Sequence, residues 1–304
     1  MPSSIGLRFY EVTVIRRADS AAVRLNDPQL VKQVPAFIAD FVSHNASVTL
    51  RHEIERSWYL EEREAENTGI SRGIVHYGTY GFESNFVDSR TKQTNYRRQI
   101  HDVEEIPLFY EFWCPPESDF GLLAFQSFQI RSCVTVVTQA LRDHFQLSNP
   151  AYYLRVRKLM PADVKGSAYY RSPVKRIRLI KRRAPKDVTD RYFTRQGDGG
   201  ADFEIAIAAR RNGTLGPLAA VGDKIKPQAG GVLRYDGIEF DEALAEVMIG
   251  GRRRRVGVFG LSADTGVIDV SDAVEKGPDG HPVFSSMKTE VRELMDDFHK
   301  VLSR

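Results

Sequence analysis

The chain has 304 residues, 42% of them hydrophobic and 27% charged, with a formal net charge of +3 and two cysteines. That length allows one large domain or two ordinary ones around a real core, and the two cysteines, Cys114 and Cys133, form no Cys-x-x-Cys or Cys/His pattern that would indicate a disulfide framework or a structural metal. No apolar run approaches the ~18 residues that span a bilayer, and Met1-Pro2-Ser3-Ser4 lacks a basic then apolar leader, so a cytoplasmic protein without a cofactor is expected.

In chain order, residues 7–15 read as a strand. Residues 27–41 read as an amphipathic helix with Asp27 as its N-cap and Pro28 at the first helical position, where a missing N–H is not needed. The charged run 53–66 reads as a solvated turn or helix. Residues 73–82 alternate aromatic and β-branched side chains with glycines, which predicts a strand with a bulge or a close backbone approach. Strands at 106–113 and 120–128 are joined by Cys114-Pro115-Pro116-Glu117-Ser118-Asp119, where each proline removes a ladder donor. Ser132 is placed to cap a helix carrying Val134, Val137, Leu141 and Phe145 at helical spacing, with a stop at Ser148-Asn149-Pro150.

Beyond residue 150 a strand at 152–158 is followed by the segment 174–184, bracketed by Pro173 and Pro185. Its periodicity fits either a helix or a strand, and its β-branched content favours the strand. Gly197-Asp198-Gly199-Gly200 lacks the spacing of a phosphate-binding P-loop and reads as a plain loop. Strands at 202–209 and 253–261 precede a turn at Asp264-Thr265-Gly266. A last helix, with Ser286 as its cap, places Val291, Leu294, Met295, Phe298 and Leu302 on one stripe. The expected fold is α+β, with mainly antiparallel sheets and flanking helices in two domains, 1–150 and 151–304.

Charge is distributed very unevenly. Residues 152–195 hold fourteen Lys or Arg against three Asp, while the rest of the chain holds twenty-nine basic and thirty-seven acidic side chains. Such segregation is the footprint of a protein that neutralises phosphates, because surfaces otherwise intersperse both signs. The expected phosphate contacts are Arg171, Lys175, Arg176, Arg178, Lys181, Arg182, Arg183 and Lys186, with Arg252, Arg253, Arg254 and Arg255 as a second patch. Tyr152, Tyr153, Tyr169, Tyr170 and Tyr192 lie among these cations, either as stacking surfaces or as strand packing.

Catalytic patterns are sparse. No Gly-x-Ser-x-Gly elbow is present, and His101-Asp102 would fall on opposite strand faces. Asp202-x-Glu204 puts two carboxylates on one strand face, as a metal-dependent nuclease would need, but Ala206 stands where a supporting lysine would be. His44, His52, His76, His144, His281 and His299 show no metal spacing. Binding without catalysis is the first expectation, and a nuclease using Asp202 and Glu204 the alternative.

The order of elements resembles the RexA family of phage-exclusion proteins and, more loosely, KwaB of the Kiwa defence system. The resemblance runs through Phe120-Gly121-Leu122-Leu123-Ala124-Phe125 into the helix at 133–146, then Leu154-Arg155-Val156-Arg157-Lys158-Leu159-Met160, the basic strand 174–181, the strand 256–261, the turn Asp264-Thr265-Gly266-Val267-Ile268 and the last helix. It implies a homodimer that binds double-stranded DNA without sequence specificity in bacterial anti-phage defence, without an active site of its own. A partner defence protein, membrane-embedded or not, is left open. Residues 1–67 have no counterpart in the resemblance.

Overall fold

A computed structural model describes residues 5–66, 69–129, 131–161, 164–182, 202–225, 234–235, 238–249, 252–260 and 266–303. The first elements are β1 (Ile5–Arg16), β2 (Ala22–Val23), α1 (Val34–His44), β3 (Thr49–Arg51), β4 (Arg56–Glu66) and β5 (Ile70–Thr79). They are followed by β6 (Ser84–Val87), β7 (Thr94–Arg98), β8 (Glu104–Trp113), β9 (Gly121–Phe128), β10 (Arg131–Ser132), α2 (Val134–Ser148) and β11 (Tyr152–Leu159). Then come α3 (Ala168–Arg171), β12 (Val174–Lys181), β13 (Phe203–Ala208), α4 (Leu218–Ile225), β14 (Arg234–Tyr235), β15 (Ile238–Glu239), β16 (Glu242–Ile249), β17 (Arg252–Gly260), β18 (Ile268–Asp269) and α5 (Phe284–Leu302). The fold is α+β with mainly antiparallel strands. Among the described residues no helix is long and apolar enough to cross a membrane.

The chain divides into two compact units, residues 11–157 and residues 1–10 with 158–304. The division falls seven residues beyond the expected 150/151 boundary, and the opening residues of β1 group with the C-terminal part. β1 therefore begins in one unit and ends in the other.

In the unit 11–157 the strands run β9-β8-β5-β4-β3, each antiparallel to the next. Phe37 of α1 meets Phe145 of α2 at 5.1 Å and Phe41 meets Trp58 of β4 at 6.4 Å, so α1 packs on both α2 and the sheet. Three expectations change here. The helix starts at Val34, because Asp27 caps a turn instead, its carboxylate accepting the Gln29 N–H at 2.8 Å, and Pro35 takes the first-turn position. Cys133, not Ser132, precedes α2, and Ser132 accepts the Val134 N–H at 3.4 Å. The charged run is strand β4, with Trp58 and Leu60 turned inward.

What makes that glutamate-rich strand stable is Arg72 on β5, only 2% exposed. Its guanidinium meets Glu64 at 3.0 Å, Glu66 at 2.9 Å and the fully buried Glu111 of β8 at 3.2 Å. The expected bulge lies across from the glycine: β4 shifts register between Glu62 and Glu64, and a Cβ at Gly73 would sit 1.9 Å from the Glu61 carbonyl oxygen. Burial pushes the Cys114 thiol up to about 12, in keeping with a core cysteine. In this unit we predict that Arg72→Met lowers unfolding free energy by ~3–5 kcal/mol, because Glu111 keeps its charge in the core. Adding Glu111→Gln should recover part of that loss in denaturant titrations; equal losses in the single and double variants would contradict the pairing.

In the other unit the order is β13-β12-β16-β17-β18, with the first residues of β1 beside β18. The packed face carries Ile177, Leu179, Ala243, Ala245, Val256 and Val258, all buried. Phe298 of α5 meets Phe9 at 5.2 Å and Tyr169 of α3 at 6.4 Å. The apolar stripe of α5 is buried as its spacing predicted at Val291, Leu294, Met295 and Phe298, while Leu302 at its end is half-buried. Its cap differs: the helix begins at Phe284 and the Ser286 hydroxyl accepts the Glu275 N–H at 2.9 Å.

Candidate nucleic-acid interface

β12 forms a strand because its apolar residues alternate onto a packed face, and it is held on both sides by antiparallel partners, β13 and β16. Pleating turns Arg176 and Arg178 to the open face, while Ile177 and Leu179 are buried. The register then decides which carboxylates each cation meets. Arg178 sits opposite Ala206 and, two residue pairs along on the same face, its Nε and Nη2 donate to the two oxygens of Glu204, both at 2.6 Å. Lys181 donates to Asp241 at 2.8 Å. Arg182 donates to Asp202 at 2.8 Å and lies 3.4 Å from Glu242.

These pairs leave an electrostatic signature. The Arg178 hydrogen bonds hold the Glu204 carboxyl below the usual carboxylate range, helped by Arg182 and Arg176, and raise Arg178 in turn. Arg182 is raised chiefly by its hydrogen bonds to Asp202 and Glu242. Arg178, Lys181 and Arg182, expected as free phosphate contacts, are therefore ion-paired. Asp202 and Glu204, the carboxylates of the nuclease alternative, each hold a guanidinium.

The four-arginine run is divided by the pleat of β17. Arg254 turns inward, 8% exposed, and pairs with the buried Glu290 of α5. Arg255 faces out, 3.8 Å from Asp269. Arg253 is exposed, and the Arg252 side chain lies outside the described residues, as do Arg183, Lys186 and Tyr192. A cleft of about 220 Å³ beside Arg253 and Arg255 is lined as much by carboxylates, Glu246, Asp269 and Asp272, as by arginines. Of the remaining tyrosines, Tyr152 and Tyr169 are core residues, whereas Tyr153 lies under the Arg17 guanidinium at 5.3 Å from its ring centre.

The opposite end of the same sheet is different. The start of β12, the end of β13, the end of β16 and the start of β17 converge there: Arg176 faces Ala208 and Glu246, Met248 faces Arg253, and the Met248 N–H reaches the Pro173 carbonyl at 3.3 Å. Arg171 closes α3 just before Pro173, and the Ala209 N–H bonds the Lys175 carbonyl at 2.8 Å, bringing in Arg210 and Arg211. Lys175 extends across that turn and donates to the Gly213 carbonyl at 2.6 Å. Arg171, Arg176, Arg210, Arg211 and Arg253 are all exposed, and none joins a carboxylate in an ion pair among the described residues. In register, Glu246 stands between Arg176 on β12 and Arg255 on β17, strands about 4.8 Å apart, and Arg253 lies two residues further along β17, opposite Met248.

Arg210 and Arg211 were not among the expected contacts. They fall outside the basic segment, and their signal is the pair of arginines at an Asn-Gly turn directly after an alternating strand. Neither a protein-family profile nor a curated protein matches the chain. The resemblance to the RexA family accordingly rests on the short segments named above.

The Arg178–Glu204 pair gives a test of this geometry. Glu204 titrates below its ordinary value near 4.5, so the pair stabilises the fold above that pH and loses its contribution as pH falls through the depressed value. Because both partners are partly exposed, Glu204→Gln should cost no more than ~1 kcal/mol at neutral pH. The difference from wild type should vanish in acid; a difference independent of pH would contradict the assignment.

Proposed function

We propose that the protein binds double-stranded DNA without reading its sequence, through the cations left unpaired at one end of the C-terminal sheet: Arg171, Lys175, Arg176, Arg210, Arg211 and Arg253. The observation that carries this reading is the contrast along β12, whose far end is neutralised by Asp202, Glu204, Asp241 and Glu242 while its near end has only Glu246 in register. A guanidinium already bonded to a carboxylate gains little from a phosphate, since one charge-assisted hydrogen bond replaces another. A solvated, unpaired one releases counterions when it meets the duplex backbone. Long exposed side chains meeting phosphates fix position without carrying sequence information.

The resemblance to phage-exclusion proteins suggests the setting, bacterial defence against phage. The nuclease alternative is disfavoured by the hydrogen bonds that Asp202 and Glu204 already make to Arg182 and Arg178. Plasmid that is retarded but intact after incubation with Mg²⁺ would agree with binding alone.

Charge reversal tests the assignment. Each phosphate contact is worth about 0.9 decade of affinity at ~0.1 M salt, so Arg176→Glu, Arg211→Glu and Arg253→Glu together should weaken binding to unrelated duplexes by at least ~100-fold, equally for each. Arg178→Gln with Arg182→Gln should change affinity by no more than about threefold. The opposite ranking of the two sets would overturn the proposal.

A further inference from the structure

The unit 11–157 carries a feature that the basic segment does not explain. β6 and β7 form a two-stranded sheet of their own, in which Phe86 faces Tyr96 across the pair. The two rings lie 6.1 Å apart, and they are 46% and 52% exposed. An isolated hairpin is marginal in water, but this one has a rigid base. Arg98, 2% exposed, donates to the carbonyls of Thr79 and Asp102, pairs with Glu104 and lies 4.2 Å from the centre of the Phe82 ring. The Tyr96 hydroxyl donates to Asp102, whose same oxygen accepts the Gln99 N–H at 2.7 Å, so the ring is fixed while its face stays open.

The tip is cationic. Residues 84–101 contain Arg90, Lys92, Arg97 and Arg98 against one acid, Asp88. That carboxylate turns back to accept the N–H groups of Arg90 and Thr91 at 2.8 and 2.7 Å, which holds it ionised and within the turn. Arg97 pairs with Glu83 at 2.8 Å, leaving Arg90 and Lys92 to face solvent. Fixed aromatic faces beside unpaired cations suit a polyanion that presents unstacked rings. An apolar partner protein would leave those cations uncompensated.

We infer that the β6–β7 hairpin binds single-stranded nucleic acid, with bases stacking on Phe86 and Tyr96 and phosphates meeting Arg90 and Lys92. This shares with the function proposed above only the class of ligand, and rests on different residues in a different unit. The test is fluorescence anisotropy with a labelled oligothymidylate of about 20 nucleotides. Base stacking on an aromatic ring is worth roughly 5- to 150-fold in affinity. Phe86→Ala with Tyr96→Ala should therefore weaken binding by at least ~25-fold with circular dichroism unchanged, while Tyr96→Phe, which keeps the ring, should stay within about twofold. Wild-type affinity in the double alanine variant, or no binding of the oligonucleotide by the wild type at low salt, would overturn the inference. So would a wild-type dimer that sedimentation shows to dissociate in the alanine variant with oligonucleotide affinity unchanged, which would make the hairpin a protein interface. A hairpin variant that loses the oligonucleotide but keeps duplex affinity, beside an Arg176/Arg211/Arg253 reversal that does the opposite, separates this site from the duplex site.

Discussion

Cross-strand register on either side of β12 governs the charge of the C-terminal sheet. Once Arg178 lies next to Ala206 and Leu244, the carboxylates of Glu204, Glu242 and the nearby Asp202 and Asp241 are within reach of Arg178, Lys181 and Arg182. Opposite charges that meet across strands are each worth only a fraction of a kcal/mol, yet together they remove those cations from the pool available to a polyanion. At the other end the neighbouring strands supply Ala208, Met248 and one glutamate. The same strand thus has a structural end and an end free to bind.

Buried arginine recurs as the device that joins elements. Arg72 ties β4, β5 and β8 together through three glutamates, Arg98 fixes the hairpin base, and Arg254 fastens β17 to α5 through Glu290. At Arg72 and Arg98 the guanidinium's several donors meet partners on different elements, which a lysine's point charge could not do in the same geometry. Burial of these groups demands pairing, so their positive charge belongs to the fold. An arginine in this chain is informative about ligands only where it is exposed and unpaired.

Several of the longer elements were legible in the sequence where burial follows a single period, whereas the strand Glu242–Ile249 and the hairpin strands β6 and β7 were not read from it. The strands around Phe109 and Leu122, the helix from Val134 to Ser148 and the stripe of α5 appear where alternation and helical spacing placed them. β4 was not legible, because Glu64 and Glu66 are paired by Arg72 and Glu61 and Glu62 are met by His76 and Ser71, all residues on the next strand. The start of α1 was misplaced for a local reason: Asp27-Pro28 has turn chemistry as well as cap chemistry. The charge excess of residues 152–195 was a count along the chain, and the neutralising carboxylates at 202, 204, 241 and 242 lie beyond that window. Which cations stay free depends on strand pairing, and strand pairing is not written in a local sum.

Arginine-selective modification read by mass spectrometry, with and without a random duplex, addresses the division of β12 directly. Arg176, Arg210, Arg211 and Arg253 should react in the free protein and be protected by DNA, while Arg178, Arg182 and Arg254 should react slowly in both states. Protection centred on Arg178 and Arg182, or uniform reactivity along the strand regardless of DNA, would contradict the account.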